Sequence, residues 1–186
     1  MEISIRKITQ QLRLKGPDLL TRPVGRRLYA KIAALTEKAN AEEVVVLDCE
    51  GISVIDPSCV DELLVHIIRD SMRPEKPFFV RLKNITPAID MNISMVFDSY
   101  TEFAGMRIGV ITEDLVSRRG YYIGKVNEIE KELLAYLRVT KSASIDDIAE
   151  HMHCPRDGVE RTLEDLYAIR LVRKELSSRR KGYVRV

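Results

Sequence analysis

The sequence has few cysteines and no long hydrophobic run. Cys49, Cys59 and Cys154 are odd in number and widely spaced, which is not the pattern of a disulfide framework. No segment approaches the roughly 20 apolar residues of a membrane-spanning helix. The start of the chain lacks the basic and then apolar order of a secretory signal. With 45% hydrophobic and 31% charged residues, we expect a globular protein of the reducing cytoplasm, without membrane contact.

Motifs for catalysis and for cofactors are also missing. The glycines between residues 105 and 124 lack the spacing of a phosphate-binding loop, and no Ser/His/Asp set has traceable roles. Residues 151–154 include two histidines and a cysteine, but a structural zinc site normally needs four ligands. Cys59 has no base paired with it and is expected to be a small buried side chain. We therefore predict a non-enzymatic protein with no metal and no cofactor.

The net charge of +2 hides an uneven distribution. Residues 127–169 contain five Lys/Arg and ten Asp/Glu, a net of −5, whereas residues 170–186 contain seven and one, a net of +6. A compact basic segment is the electrostatic signature of a nucleic-acid binder. A solvated charged tail is the alternative interpretation.

The first hundred residues alternate between strand and helix patterns. The apolar run Val44–Leu47 predicts a strand buried on both faces, and a loop leads from it to a helix over 58–71. Further strands are predicted at Ile3–Ile8 and Phe78–Leu82, and further helices after Pro23 and Pro87. This alternation indicates an α/β sandwich over residues 1–99. Residues 100–125 hold two short strand-like segments and form either an edge of this domain or a linker.

Residues 126–186 predict three helices followed by a β-hairpin. Asn127 with Glu130 and Ser144 with Asp147 have the spacing of capping boxes at the first two helices, and Pro155 begins the third. The first helix is expected to bury an apolar stripe of Ile129, Leu133, Leu134 and Leu137. Two strand patterns then flank a polar basic turn at residues 177–181.

This C-terminal block resembles the winged helix-turn-helix family. The resemblance is carried by Ile145–Ala149 on the second helix, the turn at His153–Pro155, and the apolar positions Val159, Leu163, Leu166, Leu171 and Val172. It implies that the third helix enters the major groove of DNA and that the hairpin, the wing, contacts phosphate or the minor groove. Because such proteins often read DNA as symmetric dimers, we also expect a homodimer.

The resemblance assigns DNA contacts to basic residues on the third helix and in the wing. These are Arg156, Arg161, Arg179, Arg180 and Lys181. The same helix is expected to expose four acids, Asp157, Glu160, Glu164 and Asp165, which would weaken binding to phosphates. The wing therefore argues for DNA binding, and the acidic helix argues for a protein partner instead.

The first block resembles the STAS-like domains, a bacterial group related to the sulphate-transporter and anti-sigma-antagonist superfamily. The resemblance is carried by Thr21–Pro23, Val45–Asp48 with Gly51, and Ile55–Leu63. In anti-sigma-factor antagonists the loop before this helix reads Asp-Ser-Ser or Asp-Ser-Thr, and a partner kinase phosphorylates the second hydroxyl. The segment Asp56–Ser58 keeps the acid and the second hydroxyl but has proline between them. The resemblance thus implies a phosphorylation site at Ser58.

Ser58 also has a simpler interpretation as a helix N-cap, a role for which Asp56 could compete. Phosphorylation would instead add nearly two negative charges beside Asp56, Asp61 and Glu62 and reshape the loop by repulsion. A contact with a ligand is the third interpretation. In each regulatory case the expected partner-binding loop consists of Asp56, Ser58, Asp61 and Glu62.

Together these patterns predict a non-enzymatic bacterial regulator. Its STAS-like domain would sense a ligand or a protein partner, for example a histidine-kinase-like ATPase, and its winged helix would bind DNA. The alternative is a protein–protein adaptor in a partner-switching pathway with no DNA contact. A weaker third hypothesis is an enzyme or nucleotide-binding protein that uses the helix N-terminus at Ser58.

Overall fold

The computed structural model describes residues 1–113, 120–176 and 181–186, without the side chains of Glu175, Leu176, Lys181 and Arg185. The chain is mixed α/β, as predicted, and divides into two compact units, Met1–Lys125 and Val126–Val186.

The first unit contains a five-stranded mixed sheet. Its strands are β1 (Glu2–Ser4), β3 (Val44–Asp48), β5 (Phe79–Lys83), β6 (Val110–Glu113) and β7 (Gly120–Ile123), in the order β1-β3-β5-β6-β7. The first four are parallel and β7 is antiparallel. A separate parallel pair joins β2 (Asp18–Leu19) to β4 (Val54–Ile55). Residues 100–125 were predicted to form either an edge of this domain or a linker. Their two strand-like segments belong to the sheet, as β6 and β7.

The helices of this unit follow the strands along the chain. They are α1 (Ile5–Gln11), α2 (Arg22–Thr36), α3 (Pro57–Val60), a π-helical segment (Asp61–Val65), α4 (His66–Ser71) and α5 (Pro87–Phe103). The predicted strands at Val44 and Phe78 and the predicted helices after Pro23 and Pro87 are confirmed. α3, the π segment and α4 form one continuous helical run, which begins one residue before Ser58.

Two sequence-based expectations for this unit are wrong. Ile3 lies in β1, but Ile5 and Ile8 lie in α1, because Ser4 caps that helix and ends the strand after three residues. In β3, Val45 and Leu47 are fully buried whereas Val44 and Val46 are only half-buried. An unbroken apolar run was therefore not proof of equal burial on both faces.

One hydrophobic core holds the sheet and helices of the first unit together. Alternate strand residues such as Val45, Leu47 and Leu82 belong to the same buried cluster as Leu28 of α2 and Leu63 of the π segment. Gly25 allows α2 to approach α3 closely, since a Cβ there would lie 2.9 Å from the Cys59 carbonyl oxygen and from Glu62 Cβ. This close approach brings the charged side chains of α2 beside those of the π segment.

The second unit contains three helices and a three-stranded antiparallel sheet. Its elements are α6 (Glu128–Thr140), β8 (Ser142–Ser144), α7 (Ile145–Met152), α8 (Arg156–Ala168), β9 (Val172–Leu176) and β10 (Lys181–Arg185). The sheet order is β8-β10-β9. The sequence pattern did not predict β8, whose three residues lie between the first two helices.

Both predicted capping boxes of the second unit are present. Asn127 and Glu130 exchange hydrogen bonds at the start of α6, and Ser144 and Asp147 do the same at the start of α7. Ile129 does not join the buried stripe and is 53% exposed, whereas Glu130 is buried at the cap. α7 ends at Met152, its C-cap residue His153 is left-handed (φ 51°), and α8 begins at Arg156.

Candidate functional site

The first candidate site surrounds the start of α3, where Asp56 is the N-cap. Its Oδ1 accepts from the backbone N–H of Cys59 (2.6 Å) and from the Ser58 hydroxyl (2.9 Å), and its Oδ2 accepts from the Thr21 N–H (2.8 Å). Burial acts to raise the pKa of Asp56, but the hydrogen bonds outweigh it and leave that pKa below its usual value. The Asp56 carboxylate is therefore charged, and both of its oxygens accept hydrogen bonds.

The N-cap role predicted for Ser58 is wrong. Ser58 is the second residue of α3, and its hydroxyl donates to Asp56 instead of accepting from the helix backbone. Asp56 takes the cap because its side chain reaches the N–H of the third helical residue while Pro57 occupies the first position. The Ser58 hydroxyl is half-buried at the edge of a groove.

Two arginines of α2 form ion pairs with the acids of the π segment. Arg26 donates from Nε and Nη2 to the two Glu62 oxygens (3.0 Å each), and Arg22 Nη1 donates to Glu62 (3.0 Å) and to Asp61 (2.5 Å). The hydrogen bonds from Arg26 and then Arg22 lower the pKa of Glu62 to about 2. Glu62 therefore faces α2 and keeps its charge over a wide pH range.

Tyr100 links this network to α5. Its hydroxyl donates to Asp61 Oδ1 at 2.5 Å, while Asp61 Oδ2 accepts from Arg22. Burial and then the hydrogen bond with Asp61 raise the pKa of Tyr100 to about 12, so the phenol stays protonated. One carboxylate thus joins three helical segments. No local sequence pattern points to Tyr100, since only the packing of α5 brings it to the π segment.

These side chains line an open groove of about 490 Å³. Its walls are formed by Arg22, Pro57, Ser58, Asp61, Met95, Val96, Ser99 and Tyr100. Met95 is 53% exposed, and Met91, one turn earlier on α5, is 66% exposed. Of the predicted partner-binding loop, Ser58 and Asp61 therefore share the groove, Asp56 caps the helix and Glu62 pairs with α2. The groove offers a hydroxyl, a charged pair and flexible apolar side chains.

Two cysteines of the first unit, Cys49 and Cys59, are buried. Cys59 is fully buried, as predicted, and burial followed by the charge of Asp56 raises its pKa to about 12. Burial likewise raises the pKa of Cys49 to about 12. Both thiols are therefore protonated near neutral pH.

The second candidate site is the exposed side of α8. Arg156 forms an ion pair with Asp146 of α7, so its guanidinium is drawn to the side of the helix. Arg161 is exposed at mid-helix. The predicted wing residues Arg179 and Arg180 lie outside the described residues, and Lys181 is described only as the first backbone position of β10.

Glu164 joins α8 to both strands of the hairpin. It accepts from Lys174 Nζ of β9 and from the Tyr183 hydroxyl of β10, each at 2.8 Å. Burial and the hydrogen bond with Glu164 raise the pKa of Tyr183. Lys174 Nζ also lies 4.3 Å from the centre of the Tyr167 ring. One of the four acids expected to repel phosphate is therefore compensated by a lysine.

The histidines and Cys154 of the segment 151–154 do not gather into a ligand set in the described part of the chain. His151 stacks on Tyr136 of α6, with ring centres 4.2 Å apart. Among the described residues, no three His, Cys, Asp or Glu side chains are grouped as a metal ion requires. Within the same residues, no helix is both long enough and apolar enough to span a membrane.

No family model matches the chain, and no curated protein is significantly similar to it.

Proposed function

We propose that the protein is a non-enzymatic regulator that binds duplex DNA through its second unit. The proposal rests on the order of the elements in that unit. Two helices joined by a short turn are followed by a hairpin whose sequence is strongly basic. In a winged helix the second helix of this pair, here α8, lies in the major groove and the hairpin contacts the backbone. The DNA-binding residues are Arg156 and Arg161 on α8 and Arg179, Arg180 and Lys181 in the wing.

The connection between α8 and the hairpin supports this proposal. Glu164 is bonded to Lys174 and Tyr183, so α8 and both hairpin strands are held in one arrangement. A fixed arrangement lowers the entropy cost of placing a helix and a wing on DNA together. A homodimer, in which two such units read the two halves of a symmetric site, is part of the proposal.

The first unit, in this proposal, is a STAS-like sensing domain. Its binding site is the groove at Ser58 and Asp61, and its partner is a protein such as a histidine-kinase-like ATPase, in a cytoplasmic, bacterial setting. Exposed Met91 and Met95 supply adaptable apolar contacts beside the charged pair of Arg22 and Asp61. Phosphorylation of Ser58 would place new negative charge beside that pair and change the surface offered to the partner.

A binding titration tests the proposed DNA function. The full chain is added to a fluorescently labelled mixed-sequence duplex, and anisotropy is followed at several salt concentrations. We expect a Kd of about 10⁻⁶ to 10⁻⁴ M, and this Kd should rise steeply as the salt concentration is raised. No binding at low salt contradicts the proposal.

The second candidate function is an adaptor that binds proteins and not DNA. The observation that favours it is the charge on α8, where Arg156 is paired with Asp146 and the exposed residues include Asp157 and Asp165. Such a surface suits a basic protein partner better than phosphate. Absence of DNA binding, together with a defined complex with a partner from the same operon, would select this function.

A further inference from the structure

We propose that Arg161 is the base-reading residue of α8 and that it recognises guanine. This inference rests on the DNA-binding function proposed above and deepens it. α8 buries Val159, Leu163 and Leu166 within the second unit. At about 100° per residue, Arg161 lies on the side of the helix opposite these three. Its guanidinium therefore stands at the middle of the outward surface of α8.

The other arginine of α8 is differently placed. Arg156 lies nearer the buried side of the helix and pairs with Asp146, so base contact would require that pair to break. Arg161 is exposed and, within the described ranges, has neither an ion-pair nor a hydrogen-bond partner. A guanidinium carries five donors and no acceptor, and its fork matches the O6 and N7 acceptors of guanine in the major groove.

The acidic residues beside Arg161 on α8 indicate which bases are expected next to the guanine. Asp157 and Asp165 are exposed and lie four residues before and after it, so the three side chains form one row along α8. Carboxylates accept hydrogen bonds and match the amino group of cytosine, while they repel phosphate. The row spans about 12 Å, or three to four base pairs. It favours a guanine with cytosines nearby over contacts to the backbone.

The test selects duplexes from a randomised library with the full chain and then measures binding to single sites by anisotropy. Wild type is expected to prefer its selected guanine over adenine by about 5- to 150-fold, the range for one bidentate contact. Arg161→Ala should abolish that preference. Arg161→Lys should reduce it while keeping the salt dependence, because lysine retains the charge and can still donate to guanine but lacks the planar fork. Arg138→Ala, an exposed arginine of α6, is the matched control and should retain the preference.

The outcomes separate this inference from the function on which it rests. A guanine preference that survives in Arg161→Ala overturns the inference and leaves DNA binding standing. If the selected duplexes show no guanine preference, the inference is likewise overturned and DNA binding still stands. Failure of wild type to bind any duplex at low salt overturns both. Unfolding curves for each variant establish that the second unit remains folded.

Discussion

At the scale of single residues, Asp56 caps α3, the helix whose first two residues line the groove. Its carboxylate receives bonds from Thr21, Ser58 and Cys59, and so joins the segment before α2 to the start of α3. Thr21 has φ +78°, a conformation that is unfavourable for a β-branched residue and that the bond to Asp56 helps to hold. The hydroxyl of Ser58 supplies only one of the three hydrogen bonds to this carboxylate.

Alanine substitutions at the two positions should therefore have unequal effects. Asp56→Ala removes an N-cap and is expected to lower the free energy of unfolding of the first unit by about 0.5–2 kcal/mol. Ser58→Ala should change it by less, because it removes only one donor to a carboxylate that keeps two others. Urea unfolding measures both. An equal or larger loss in Ser58→Ala would contradict the assignment of the cap.

Glu62 gives the first unit a defined response to acid. Its pKa is lowered to about 2 in the folded protein by Arg26 and Arg22. Because the pKa of an unfolded glutamate is about 4.3, this carboxylate stabilises the fold fully above that pH. Its contribution is lost as the pH falls towards 2. Wild type should thus lose stability across this window.

The variant Glu62→Gln should show a shallower loss of stability over the same pH range in thermal unfolding. Glu75→Gln is the control, since Glu75 is exposed and has no ion-pair partner in the described part of the chain. It should behave as wild type does. Identical acid profiles for wild type and Glu62→Gln would exclude the proposed role of the ion pair.

At the scale of elements, the close packing of α2 on α3 determines where the charged side chains meet. Gly25→Ala would place a Cβ 2.9 Å from a backbone oxygen, which cannot swing away as the end of a flexible side chain can. We expect a loss of about 1–3 kcal/mol despite the better helix propensity of alanine.

The matched control is Gly158→Ala in α8, where a Cβ would meet no atom within 4 Å. There the gain in helix propensity should dominate and stabilise the second unit by up to about 1 kcal/mol. Chemical unfolding distinguishes the two. Stabilisation by Gly25→Ala would show that α2 and α3 do not pack as closely as described.

Element identity was predictable wherever the pattern was long. α2, β3 and β5 were expected from apolar spacing, α5 was expected after Pro87 although its apolar period was ambiguous, and the capping boxes marked α6 and α7. Ile5 and Ile8 were misassigned because a three-residue strand runs straight into a helix, and short apolar runs do not separate the two. β8 was missed because Ser142–Ser144 has no strand pattern of its own and forms only by pairing with β10.

The groove itself was less predictable than the elements around it. Asp56, Ser58 and Asp61 could be named because they are close in sequence and precede or begin a helix. Tyr100 and Met95 come from α5, more than thirty residues later, and enter the groove only through tertiary packing. Sequence spacing also could not show that Arg22 and Arg26 pair with Asp61 and Glu62, since no local rule links positions so far apart.

At the scale of the whole molecule, we propose that one chain carries a partner-sensing unit and a DNA-binding unit. The chain divides into two compact units, Met1–Lys125 and Val126–Val186, and the change from an acidic to a basic segment falls within the second unit, at residue 170. We propose above all that the basic hairpin of the second unit contacts DNA phosphates. That claim can be tested without knowing the target sequence, because phosphate contacts are largely sequence-independent.

The most direct measurement is the slope of log Kd against log salt for a mixed-sequence duplex. Wild type is compared with a variant in which Arg179, Arg180 and Lys181 are all alanine. The control loses the same charge from exposed lysines of the first unit, through Lys7→Ala, Lys15→Ala and Lys31→Ala. We predict a flatter slope for the hairpin variant, by roughly 0.9 for each phosphate contact removed, and the wild-type slope for the control. An unchanged slope in the hairpin variant would contradict the account.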